Sequence, residues 1–227
     1  MALASIKLKV ARIFHQRCFY LFASLIVLVG VAPFMADFEH GRFALQGAQV
    51  LVLVAAVAAV GRTTLPFVIA LLLGIPPLLM QLAVVFGLED PAQMTTLTLA
   101  FYVAFYAVAI SYLLRYVFSP DVMDDDKLFG AAAGYMMLGI GWAFAYSLVQ
   151  SVNPDAFRTA PKAPLRSFYD LLYMSFGVLT SNGPGDVTVA GPKVKALVIM
   201  EQVAGTLFVA ILIARLAGIY PPKPARG

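Results

Sequence analysis

Residues 168–186 read FYDLLYMSFGVLTSNGPGD, and the fold turns on where that stretch sits. Phe168 to Thr180 is apolar and suited to a helix, but it runs for only about a dozen residues. That is too short to cross ~30 Å of hydrocarbon and too apolar to lie in water, so it reads as a buried or re-entrant half-helix. It leads into Ser181-Asn182-Gly183-Pro184-Gly185-Asp186, where Gly and Pro rule out further helix. The implied path goes in by a half-helix and returns by extended backbone. Non-helical backbone at membrane depth survives only inside protein or against a water-filled cavity.

The rest of the chain supplies that membrane. Of its 227 residues 61% are apolar and 12% charged, with a mean hydropathy of +0.87. Soluble domains carry about 25% charged residues, so an ordinary water-facing surface is excluded, as is disorder. Six apolar stretches are long enough to span: 18–36, 43–60, 64–86, 94–118, 128–152 and 196–220. Pro76-Pro77 predicts a kink or break in the third. The lone cysteine, Cys18, excludes an internal disulfide and any Cys-based zinc cluster. A net charge of +4 without a dense Lys/Arg stripe fits basic inner loops, not nucleic-acid binding.

Residues 1–17 are basic and precede an apolar run too long for a signal peptide, so a retained first helix is expected. Leu3, Ile6, Val10 and Ile13 share one helical face, which fits a helix lying on an anionic surface; a frayed basic tail fits as well. With the N-terminus inside, ten Lys and Arg fall on the inner side and six on the outer, so both termini are expected in the cytoplasm. The expected divisions are a basic N-terminus (1–17), four helices (18–118), an acidic linker (119–127), a fifth and sixth helix with the hairpin (128–220), and a tail (221–227). The closing Pro-Pro-Lys-Pro-Ala-Arg-Gly leaves no expectation of an appended ligand-sensing domain.

Placed between two spanning helices, this hairpin resembles the pore domain of the tetrameric potassium channels, whose pattern is helix, short pore helix, Thr-Val-Gly-Tyr-Gly-Asp, helix. Ser175-Phe176 and Leu179-Thr180 match the family's approach to its filter. Gly183, Gly185 and Asp186 match outright, Ser181 stands in for Thr, and Gly205 falls where many members have a hinge glycine. The resemblance covers 128–220 and implies a filter of carbonyls from four chains that replaces a cation's water shell. Thr180, Ser181, Asn182, Gly183, Pro184, Gly185 and Asp186 then form the filter, with a potassium or other monovalent cation held at the backbone of Ser181 to Pro184. Two residues depart from the pattern. Asn182 replaces the family's Val, and Pro184 replaces the aromatic residue that packs behind the filter. Both changes weaken the expected potassium-over-sodium preference.

Several residues carry two readings. Gly183 and Gly185 fit a filter or a plain tight turn, and Asp186 an acidic ring at the mouth or a loop cap. Asp170 near the start of the half-helix supports the filter or caps the helix. Glu201, one turn into the last spanning helix, is a costly place for a carboxylate. It is expected to brace Asn182 or the half-helix backbone, or else to pair with Lys195 or snorkel outward. Gly205 is a gating hinge or a small packing residue. Arg215 is expected to snorkel. Arg115 is the only basic residue of the fourth helix, so voltage sensing is not expected. The aromatic residues of that helix read as packing. Asp121, Asp124, Asp125 and Asp126 read as a solvated acidic turn or, less simply, a divalent-cation site.

The expected fold is all-α and integral to the membrane, with six transmembrane helices and a re-entrant pore helix and filter loop between helices five and six. The expected function is a voltage-independent monovalent cation channel, not an enzyme, assembled as a homotetramer in contact with lipid. No cofactor, nucleic acid or soluble partner is expected, and a bacterial inner membrane is the expected location. Two alternatives stay open. One is a non-conducting, channel-like scaffold, motivated by Asn182 and Pro184; the other is a secondary transporter with a broken helix.

Overall fold

In the computed structural model the described residues are 17–31, 34, 41–60, 64–88, 96–120, 123–159, 163–164 and 168–218. Helices stand where the apolar runs predict them. They are α1 (Arg17–Ile26, continuing as a π-helical turn over Val27–Val31), α2 (Gly41–Val60), α3 (Thr64–Val85), α4 (Thr96–Val117), α5 (Asp125–Val152), α6 (Phe168–Leu179) and α7 (Pro192–Gly218). Three of these, α4, α5 and α7, are long and apolar enough to cross a membrane; the apolar stretches described in α1, α2, α3 and α6 are shorter. The chain is thus mostly helical, with the build of a membrane protein.

α5 is the central element and packs against α1, α4, α6 and α7. Its small residues let neighbours come close: a Cβ on Gly130 would stand 3.0 Å from Val117 Cγ2 and 3.3 Å from Cys18 Sγ. The α4 aromatics do pack. Tyr102, Phe105 and Tyr106 are buried, and Tyr102 stacks on Phe144 at 4.3 Å. Phe144 also meets Phe168 at 4.6 Å, so the first residue of α6 is anchored on the α4–α5 core.

Four expectations need correction. Of the kink or break expected at Pro76 and Pro77, the break is absent, and α3 runs through both. Their missing N–H groups cost helix bonds, but the segment is held from the side, where a Cβ on Gly74 would lie 3.2 Å from the Phe105 ring. Arg215 does not snorkel. Its guanidinium donates to the carbonyls of Phe118 (2.7 Å) and Ser119 and lies over the Phe118 ring, tying α7 to the end of α4. The acidic linker is not simply solvated. Asp124 caps α5 by accepting from the Lys127 N–H (2.9 Å), while Asp126 accepts from the Cys18 N–H (2.9 Å) and the Tyr116 hydroxyl (2.8 Å). Among the described residues no group of three or more His, Cys, Asp or Glu could hold a metal ion.

The fourth correction concerns the expected all-α class, since three short strands accompany the helices among the described residues. β1 (Phe157–Thr159) pairs antiparallel with β2 (Ala163–Pro164) and with β3 (Val187–Val189), in the order β2-β1-β3. Strands of two or three residues are too short to show a period-two pattern. Phe157 points inward, fully buried, with its ring edge-on to Tyr146 at 5.2 Å; Arg158 points outward and pairs with Asp155. The sheet ties the segment before α6 to the segment after the loop. Expectations for residues 1–16, Asp121 and 221–227 lie outside the described residues.

Candidate functional site

α6 ends at Leu179, and the next residues close it in a Schellman motif. The Ser181 N–H donates to the Val178 carbonyl (2.9 Å), and the Asn182 N–H to the Gly177 carbonyl (2.8 Å). Ser181 takes the left-handed position at φ 63°, where glycine is usual. The Gly183 N–H also reaches the Gly177 carbonyl (3.1 Å), so the turn folds back over Gly177. A Cβ on Gly177 would collide with the Gly183 carbonyl oxygen. Gly183 and Gly185 have φ of 94° and 64°, so every second residue from 181 to 185 has the left-handed sign. The Pro184 carbonyl accepts from the Val187 N–H (3.3 Å). The extended return expected from Ser181 onward therefore begins only at Val187, because the end of the helix is capped first.

Behind the loop lies a buried polar cluster. Glu201 on α7 is fully buried. One carboxyl oxygen accepts from the Ser175 hydroxyl of α6 (2.5 Å) and the other from the Tyr146 hydroxyl of α5. Ser175 Oγ also lies 2.7 Å from the Gly139 carbonyl of α5. Three helices thus meet on one carboxyl group. Of the expected partners, Glu201 takes neither Asn182 nor Lys195; it holds the half-helix through a side chain. Full burial excludes snorkelling.

The remaining contacts fix the depth of α6. The Tyr135 hydroxyl of α5 donates to the Leu179 carbonyl (3.2 Å), occupying an acceptor that the helix end leaves open. Gly205 is buried, and a Cβ there would collide with the Leu179 carbonyl oxygen. At Gly205 α7 is continuous and the observed geometry is close packing. Phe176 lies across Gly139, and Tyr173 against Gly185, with 2.9 Å and 2.8 Å from the ring to a Cβ built on the respective glycine.

The structure gathers Thr180, Ser181 and Asn182 with two residues of α7. Ser181 Oγ and Thr206 Oγ1 are 3.3 Å apart, Thr206 donates to the Gln202 carbonyl (2.9 Å), and Asn182 Nδ2 donates to Thr180 Oγ1 (3.0 Å). All five side chains are exposed. Past Lys195, every other exposed residue described in α7 is apolar, including Ile199, Leu207 and Ile213. Asp186 is exposed and Pro184 half-buried, while Asp170 sits in the first turn of α6, where a carboxylate suits the helix dipole. Sequence reasoning missed Tyr135, Tyr146, Gly177, Tyr173 and Thr206. Only Thr206 carried a signal, a polar residue four positions from Gln202 on an apolar helix.

No curated protein and no solved structure matches the chain. A family model described as an ion channel matches residues 134–220. The matched span opens within α5, takes in α6 and the capped loop, and runs through α7, so the helices that build this site lie in the part of the chain that is similar to that family.

Proposed function

We propose that four copies of this chain assemble around the loop 181–186 and pass monovalent cations passively across the membrane. The observation that carries this reading is the exposed polar patch of Thr180, Ser181, Asn182, Gln202 and Thr206, beside an α7 whose other exposed residues past Lys195 are apolar. Polar side chains at membrane depth belong against water or protein, not lipid. They also lie at the C-terminal end of a half-helix, whose partial negative charge favours a cation.

In this reading six helices cross the membrane, α6 is re-entrant, and both termini face the cytoplasm of a bacterial inner membrane. The divisions in this reading are 1–17, 18–118, 119–127, 128–220 and 221–227. Arg115 is the one basic residue of α4, so the pore is voltage-independent. Potassium is a permeant ion, but the preference over sodium is weak, because Pro184 has no aromatic ring to brace the loop and Asn182 bonds to Thr180. Glu201 and Asp170 support the filter, and Gly205 sets how closely α7 approaches it. No cofactor takes part.

Bi-ionic recording of reconstituted protein tests this. The permeability ratio of potassium to sodium should stay within about tenfold, equivalent to about 1.4 kcal/mol. Pro184→Tyr should raise it. A strong potassium preference in the parent, or a Pro184→Tyr ratio equal to the parent's, contradicts the selectivity argument. A monomer or dimer in the membrane contradicts the pore.

A further inference from the structure

Away from the loop, one face of α4 and α5 carries a continuous trough. Its deeper part, a cavity of about 360 Å³, is apolar and lined by Val103, Tyr106 and Ile110 of α4 and Leu138 and Trp142 of α5. A second cavity of about 250 Å³ continues it through Ala107 and Ser111, which line both, and ends at Tyr112 and Arg115. Arg115 is exposed, and its guanidinium lies 5.8 Å over the Tyr112 ring, which sets it at the mouth of the trough. From Val103 to Arg115 a helix rises about 18 Å, close to the ~15 Å thickness of one hydrocarbon leaflet.

We propose that this trough holds one anionic phospholipid of the leaflet next to the C-terminal end of α4, its phosphate on Arg115 and an acyl chain along Tyr106 and Ile110 toward Trp142. The occupant follows from the chemistry at the two ends. An apolar channel one leaflet deep fits an acyl chain, and a single cation at its interfacial mouth is complementary to a phosphate. A neighbouring copy offering an apolar helix would leave Arg115 without an anion. The site depends on the membrane setting but not on conduction.

Trp142 is the only tryptophan of the chain, so its fluorescence reports on the deep end of the trough. The test is quenching of the full-length protein in vesicles of unbrominated phosphatidylcholine, titrated with either phosphatidylglycerol or phosphatidylcholine brominated on the acyl chain. Half-quenching is expected at about a fivefold lower mole fraction of the anionic lipid. Arg115→Gln should erase that difference while leaving quenching by phosphatidylcholine unchanged. Ala145→Phe, which fills the trough, should weaken quenching by both lipids. Equal quenching by both headgroups in the parent means general lipid contact only and overturns the proposal. So does no quenching at all, which means another protein surface covers Trp142. Cation flux, measured on the same vesicles, fails or succeeds separately, so loss of the pore reading and loss of this site are distinguishable.

Discussion

Glu201→Leu should cost the protein roughly 2–3 kcal/mol of stability, read as a fall in the melting temperature of the purified protein. Leucine nearly fills the volume of glutamate, so the loss comes from the polar groups left behind. Tyr146 is fully buried and donates its hydroxyl to Glu201; with leucine opposite, that hydroxyl has no acceptor. Ser175 fares better, because the Gly139 carbonyl lies 2.7 Å away. Tyr146→Phe alone should also destabilise, since it leaves a buried carboxyl group with one donor fewer. The double variant should lose clearly less than the two singles added together, because removing both partners of a buried polar pair is nearly neutral. Strict additivity would mean that the cluster does not join α5 to α7. Because Ser175 sits on α6, flux should fall in Glu201→Leu even where the protein stays folded.

Gly177→Ala should disrupt the loop itself. The new methyl group would collide with the Gly183 carbonyl oxygen, and neither side is a flexible chain end that could swing away. Gly177 is also the acceptor for the N–H groups of Asn182 and Gly183, so displacing the turn breaks both bonds. The overpacking cost is roughly 1–3 kcal/mol. The larger effect is on transport: helix content should be kept and cation flux lost. Gly47→Ala is the control, since nothing lies within 4 Å of its Cβ position. Flux in Gly177→Ala equal to that in Gly47→Ala would show that the turn over Gly177 is not the conducting conformation.

These two sites show what the sequence could and could not reveal. Helix positions were legible because hydrocarbon imposes a length on every apolar run, and α6 was legible because it falls short of that length. Glu201 stood out because a carboxyl group on an apolar helix needs a reason. Its partners did not, since Ser175 and Tyr146 lie 26 and 55 residues away in sequence and either would be unremarked on its own helix. Gly177 was hidden for another reason. A glycine inside a helix shows no turn chemistry, and its role appears only once the Gly183 carbonyl folds back over it. The extended return from Ser181 failed as an expectation because serine gives little warning of a left-handed helix cap. The three short strands escaped because so few residues establish no alternation.

The decisive measurement is thiol modification at neighbouring positions of α7 with flux as the readout. The native Cys18 is buried and can be replaced by alanine for the purpose. A small cationic thiol reagent added from the C-terminal side of α7 should modify Thr206→Cys quickly and stop cation flux into liposomes. Leu207→Cys, one position on and exposed on the apolar face, should react slowly and keep its flux. Equal reactivity at the two positions, or modified Thr206→Cys that conducts as before, would contradict a water-filled path along Gln202 and Thr206.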